Sequence, residues 1–511
     1  MYNQTILKSN ETLIKYVPAG PVACSHRRVT EGTVPNGTII SAFQNCYLPL
    51  KGALMKKLLL LILIIFSAIS SVSAEDPVFE DYVYAILSNG TAEITGYTGE
   101  QTAITIPERV QDEIPVTSIA GSVFSGNKTI ETVIIPEGIV SIGDHSFAEC
   151  TALEMVSLPE SLQWLGDLVF QGDINLAEIN LPGNLIRIGM NPFDRCDLLE
   201  SFAISENNTY YLSEDGVLYD RKAGALISYP AGKTDSTYSV PDWVTEISAA
   251  AFSENRFISE ITIHENVTDI EGNPFCGCTS LTDIIVSPFN INFEAEQNTF
   301  YNRKTRELIA YLWNSDKDYY SVPSGIRSIG NEAFYKHQEL KRIDLPKNLV
   351  SIGDAAFAES GLSSIKIPDS VVSIGSSTFS GCEALESVTL SENLTQLERY
   401  TFSECTALKS IVFPKALNII GEGAFYKCES LTELKLPENL YFIGDYAFLA
   451  CTGLTSIDFP DHLYSIGRGA FFGPENLSVT VAPGSLAEEW AIQNGVPIEH
   501  KDVTYILTES I

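Results

Sequence analysis

Phe402-Ser-Glu-Cys-Thr-Ala-Leu-Lys-Ser-Ile-Val-Phe-Pro-Lys-Ala-Leu-Asn-Ile-Ile-Gly-Glu-Gly-Ala-Phe425 begins and ends on a phenylalanine, 23 residues apart. Phenylalanine recurs on that beat at 124, 147, 170 and 193, at 252 and 275, and at 334, 357, 379, 402, 425, 448 and 471. Only the step from Phe357 to Phe379 is one residue short. Between the rings the apolar positions are Leu408, Ile411, Phe413, Leu417 and Ile420, and the coil before it repeats them at Leu385, Val388, Leu390, Leu394 and Leu397. A fixed period of this length with leucines at set offsets predicts a solenoid whose coils bury their apolar faces only by stacking.

Within one coil, Ile411-Val-Phe413 alternates inward, outward, inward, so it is predicted to be a strand. Pro414 ends it, since proline cannot donate to a ladder. Gly421 follows Ile420 at the corner before the next ring, where freedom to adopt positive φ is expected to help. The same Ile-Gly pair recurs at 142–143, 188–189, 329–330, 352–353, 374–375, 443–444 and 466–467.

The pattern Cys405-x-x-Leu408-x-x-Ile411-x-Phe413-Pro414-x-x-Leu417-x-x-Ile420-Gly421-x-x-Ala424-Phe425 resembles the BspA-type, or Treponema pallidum-type, leucine-rich repeat. The resemblance runs from about Val116 to Val481. It implies a curved leucine-rich repeat solenoid, mainly β with short strands and turns, capped at both ends. It also implies a secreted or surface protein of the kind implicated in adhesion and host binding.

The chain divides accordingly. Residues 1–54 carry no repeat and precede a second methionine. Residues 55–74 read as a signal peptide: Met55-Lys-Lys, an apolar run over 58–66, then Val72-Ser73-Ala74. On that reading translation starts at Met55 and the upstream residues are non-native; a real extension with an internal membrane anchor is the alternative, although the run is short for a span. The mature chain then begins near Glu75, holds 25 Lys and Arg against 63 Asp and Glu, and carries a formal charge of −38. Such an acidic surface disfavours nucleic acid and anionic lipid and suits solubility or a basic partner. Residues 75–115 are expected to form an N-terminal hairpin cap turning at Asn89-Gly90, residues 116–480 the solenoid, and residues 481–511 a C-terminal cap. In that cap Ser485 and Glu488 form a capping box, Asn494-Gly495 stop the helix, Leu486 and Trp490 close the last coil, and a strand spans 503–507.

The beat breaks twice, from Phe193 to Phe252 and from Phe275 to Phe334, each 59 residues. The two breaks match at a constant offset of 82: Tyr219 with Tyr301, Arg221-Lys222 with Arg303-Lys304, Tyr229 with Tyr311. A duplicated block follows, each copy holding a plain coil and a coil with about 36 extra residues, the inserts lying near 203–240 and 285–322. Each insert reads as strand, turn, strand, with tips at 220–224 and 302–305. Tyr219, Arg221, Lys222, Tyr229, Tyr301, Arg303, Lys304, Tyr311 and Trp313 are the candidate partner-binding residues, as a protruding aromatic patch with a basic tip. The competing reading packs those rings onto the solenoid.

Seven cysteines, Cys150, Cys196, Cys278, Cys382, Cys405, Cys428 and Cys451, stand three residues after a repeat phenylalanine and are expected as free buried thiols. Cys276-Gly-Cys278 alone is a weak zinc signal. His145, His264, His337, His462 and His500 are expected at outward-facing positions. No pattern in the sequence assembles a triad, a carboxylate pair or a phosphate loop, so no catalytic residue, metal or cofactor is assigned. The expected function is a secreted, adhesin-like binding protein whose partner is a protein or glycan on a host or neighbouring cell surface. A passive surface stalk is the alternative, and an enzyme ranks third.

Overall fold

The computed structural model describes residues 78–111, 113–312 and 317–501. The upstream residues 1–54, the leader at 55–74, the strand expected at 503–507 and Trp313 lie outside them.

Each coil carries two short strands rather than one, and the strands stack into two parallel columns. The first column holds the alternating segment: Ser387–Thr389 pairs in register with Ser410–Val412, and Glu433–Lys435 with Ser456–Asp458. Alternation decides its faces, since Ile411 and Phe413 are buried while Val412 is 79% exposed. The second column is built from the residues at the Ile-Gly corner of each coil, where Glu398 stands for the glycine after Leu397: Gln396–Leu397, Ile419–Ile420, Phe442–Ile443 and Ser465–Ile466 pair in succession. Two residues per rung are too few to show a period in sequence.

The repeat phenylalanines form a column of stacked rings along the core. Phe357, Phe379, Phe402, Phe425, Phe448 and Phe471 follow one another at 4.9 to 5.4 Å between centroids, and Trp490 closes the column edge-on against Phe471. Three residues on from seven of the rings, a thiol ties its coil to the one before. Cys405 Sγ donates to Phe379 O at 3.1 Å, Cys428 to Phe402 O at 3.1 Å and Cys451 to Phe425 O at 3.0 Å. The eight cysteines of the described residues are all free and buried. Cys150, Cys196, Cys278 and Cys382 make the same bond to Phe124, Phe170, Phe252 and Phe357.

The corner glycines serve a purpose other than the expected one. None of the Ile-Gly glycines has positive φ. A Cβ on Gly421 would lie 2.7 Å from Glu398 C, and one on Gly444 would lie 2.6 Å from Glu422 N, so backbone meets backbone between coils there. The left-handed residues flank the ring instead, two before and two after: Tyr400 and Glu404 around Phe402, Tyr446 and Ala450 around Phe448.

The inserts are shorter than the sequence suggested. Tyr229 stacks on Phe252 and Tyr311 on Phe334, each at 5.2 Å, so both tyrosines occupy a ring position of the column. Phe193 to Tyr229 is 36 residues and Tyr229 to Phe252 is the usual 23. The extra chain is therefore about a dozen residues per insert rather than 36. It forms a three-stranded antiparallel meander, Tyr211–Glu214, Val217–Asp220 and Ala225–Ser228, whose last strand pairs in parallel with Glu246–Ile247 of the second column. Phe293–Glu296, Thr299–Asn302 and Glu307–Tyr311 repeat it.

At the N-terminal end Tyr82–Ile86 and Ala92–Tyr97 form the hairpin, with Gly90 at φ 84 in its turn. The first column starts ahead of Val116, because Ala103–Thr105 already pairs with Thr132–Ile134. At the C-terminal end helix α1, Leu486–Asn494, is capped by Ser485, whose side chain accepts from Glu488 N, and stopped by left-handed Gly495. Ala487 and Ala491 are its buried residues, and with Trp490 they share one face at helical spacing; Leu486 is only half-buried. The chain then adds Ile498–His500 beside Ser478–Val481.

Candidate partner-binding surface

The hairpin tips are built by an Asx turn. Asp220 Oδ1 accepts from Lys222 N at 2.7 Å and from Ala223 N at 2.8 Å. Asn302 Oδ1 does the same for Lys304 N and Thr305 N. A short side chain accepting from its own turn fixes the loop without a glycine at its centre. Each tip arginine then ties the turn to the first strand of its meander: Arg221 Nε donates to Tyr211 O and Arg303 Nε to Phe293 O, both at 3.0 Å.

Arg221, Lys222, Arg303 and Lys304 are all exposed. Lys222 Nζ lies 3.7 Å from the centroid of Tyr210, and Arg303 Nε lies 3.4 Å from Glu294 Oε2. Elsewhere many cations bind carboxylates across coils, as Lys427 does with Glu404 and Arg195 with Glu149. Lys304 has no ion-pair partner among the described residues.

The tyrosines do not join them. Tyr219, Tyr229, Tyr301 and Tyr311 are 1, 1, 9 and 6% exposed. Their rings face the core because Tyr229 and Tyr311 continue the ring column, while the Tyr219 hydroxyl bonds that of Tyr238. Burial pushes the Tyr219 and Tyr301 hydroxyls up to about 12. The protruding aromatic patch is therefore corrected to a basic tip over a buried aromatic base. The signal that locates Tyr229 and Tyr311 was available, since each stands 23 residues before a repeat phenylalanine.

His337 also departs from its expected outward position. It occupies the cysteine rung after Phe334, with Nε2 2.9 Å from Tyr311 O, and burial pushes its pKa down to about 4. Cys276 and Cys278 face different neighbours: Cys278 bonds Phe252 O, while the thiol of Cys276 meets the carboxyl of Glu332.

The sequence that builds these coils matches one known repeat family. The family pattern of the BspA type leucine rich repeat region matches in six copies, over residues 98–215, 235–311, 310–418 and 374–494. The chain belongs to the BspA-type leucine-rich repeat family.

Among solved structures, this BspA-type chain is similar to a leucine-rich repeat protein from Eubacterium ventriosum, at 23% identity and a TM-score of 0.43, covering 78% of this chain and 94% of that one. It is similar to a leucine rich cell surface protein from Faecalibacterium prausnitzii, at 26% identity and a TM-score of 0.36, covering 83% and 98%. A leucine-rich repeat protein from Bacteroides ovatus matches at 22% identity and a TM-score of 0.37, covering 84% and 100%. No curated protein matches the chain. Among the described residues no helix is long and apolar enough to cross a membrane.

Proposed function

We propose that this BspA-type solenoid is a secreted or surface-held binding protein, adhesin-like, that engages a protein or glycan on a host or neighbouring cell through its two basic hairpin tips. The observation that carries the reading is the pair of exposed tips, Arg221-Lys222 and Arg303-Lys304, presented by the same Asx turn in both copies of the block. The whole chain has a formal charge of −33. Four basic side chains held at two repeated points on such a surface are local exceptions to its field, and arginine is a favoured interface anchor. A leucine-rich solenoid supplies the rigid scaffold that keeps two such points at a fixed separation.

The test is binding of the chain from Glu75 onward to an array of matrix proteins and cell-surface glycans at physiological salt. Saturable binding to one class of array member is expected. Absence of saturable binding across the array would overturn the reading and leave a passive stalk.

A further inference from the structure

The two copies of the duplicated block differ at one position in a way that opens a groove. In the first copy the indole of Trp243 packs on the ring of Tyr219, with centroids 5.0 Å apart. In the second, 82 residues on, Tyr301 keeps the tyrosine but Gly325 stands where Trp243 does. A Cβ on Gly325 would meet nothing within 4 Å, and its φ lies outside the left-handed region, so neither space nor backbone conformation requires glycine there. Beside Tyr301 lies a groove whose lining includes Arg306, Pro323, Gly325, Pro346 and Lys347.

Its charge also differs from that of the first copy. Arg306 replaces Gly224 and Lys347 replaces Glu265, and neither cation has an ion-pair partner among the described residues. Glu296 and Asp344 line the groove too. Glu296 has its counterpart in Glu214, while Asp344 replaces Thr262 and accepts from the Tyr319 hydroxyl at 2.7 Å. The corresponding lining of the first copy holds Glu214, Asp215, Asp242 and Glu265 with no lysine or arginine.

We propose that the groove over Tyr301 receives an aromatic side chain of a partner protein, carried on a segment with acidic residues beside the ring. The first copy shows what such a seat accepts, because there the chain's own tryptophan lies against the equivalent tyrosine. An aromatic side chain seated in a pocket is a common interface anchor; here Pro323 and Pro346 line that pocket, and Arg306 and Lys347 select the ring's neighbours. This deepens the binding reading above and rests on it.

The test titrates the protein with Ac-Glu-Trp-Glu-NH2, Ac-Glu-Ala-Glu-NH2 and Ac-Lys-Trp-Lys-NH2 by saturation-transfer NMR at physiological salt. The acidic tryptophan peptide is expected to bind saturably and the alanine peptide not at all. The lysine peptide is expected to bind more weakly, although the whole chain's charge would favour it. Gly325→Trp should weaken the acidic tryptophan peptide at least tenfold. Trp243→Gly should open a second seat for tryptophan peptides, without preference for acidic flanks, since Glu265 stands there in place of Lys347. No binding of the acidic tryptophan peptide, or binding unchanged by Gly325→Trp, would overturn the proposal. An array partner held equally by wild type and Gly325→Trp would overturn the groove and leave the binding reading standing. An array without any partner would remove the binding reading and, with it, the protein ligand proposed here.

Discussion

Tyr311 lies over Phe334 with ring centroids 5.2 Å apart and planes 25° from parallel, in the place that a phenylalanine holds in every plain coil. That stack carries the repeat through a break of 59 residues, and Tyr229 over Phe252 does the same in the other copy. Ring-on-ring contact thus joins the parallel pairing of the last meander strand in holding the meanders in register with the solenoid. Tyr311→Ala should cost about 3–5 kcal/mol, the range for emptying a buried aromatic site, and Tyr311→Phe less than about 1.5 kcal/mol. Hydrogen exchange around Thr299–Asn302 and Glu307–Tyr311 checks it: protection should fall there first in the alanine variant and stay in the phenylalanine variant.

The thiol rungs predict a reactivity pattern. The eight cysteines of the described residues are free, buried and held away from the thiolate by desolvation; Cys382 is pushed up to about 11 and Cys451 to about 12. Only the thiolate attacks disulfide reagents. Ellman titration of the chain from Glu75 should show no fast thiol in the native protein and eight after denaturation. Fewer than eight under non-reducing conditions would mean disulfides.

One rung carries an acid. Asp173 stands where its neighbours carry Cys150 and Cys196; its Oδ1 accepts from Cys150 N at 2.8 Å, while Oδ2 is buried without a partner. Burial pushes its pKa up to about 9. The folded chain thus holds a proton that the unfolded chain releases above the ordinary carboxylate range, so stability contributed by that proton is lost as pH rises from about 4 to 9. Asp173→Asn keeps the acceptor, carries no charge and should raise stability at pH 7 by roughly 1–3 kcal/mol. The gain should close below pH 4 and widen toward pH 9 in urea titrations.

Two substitutions of opposite sense separate close approach from backbone conformation. Gly444→Ala drives a Cβ to 2.6 Å from Glu422 N and should cost about 1–3 kcal/mol. Ala450 sits at φ 63, a conformation that costs an L-residue about 1–2 kcal/mol. Ala450→Gly removes that strain but loosens the unfolded chain, so a net gain of up to about 1 kcal/mol is expected. Denaturant midpoints of both variants measure the difference.

The repeat unit was legible because burial imposes a period: Leu408, Ile411, Leu417, Ile420 and Phe425 must recur wherever a coil stacks on another. The second strand column was not, because Ile419–Ile420 is too short to alternate. The cause at Gly421 is not legible, since sequence does not separate a glycine needed for φ from one needed for proximity. For Tyr229 and Tyr311 the sequence leaves a protruding patch and packing onto the solenoid both open, because a change of ring type hides their membership of the beat; their burial decides for packing. The basic tips were legible from the offset of 82, and the Asx turns that hold them follow from Asp220 and Asn302.

If the two tips make the contact, removing their four charges removes the binding. The variant Arg221→Gln, Lys222→Ser, Arg303→Gln, Lys304→Ser keeps a donor for Tyr211 O and Phe293 O while removing all four charges. Its thermal midpoint is first matched to wild type, and both chains are then titrated against the array member that wild type binds, at physiological salt. Loss of saturable binding at an unchanged thermal midpoint is the predicted result. Equal affinity of the two chains would contradict it and move the contact to the faces of the solenoid.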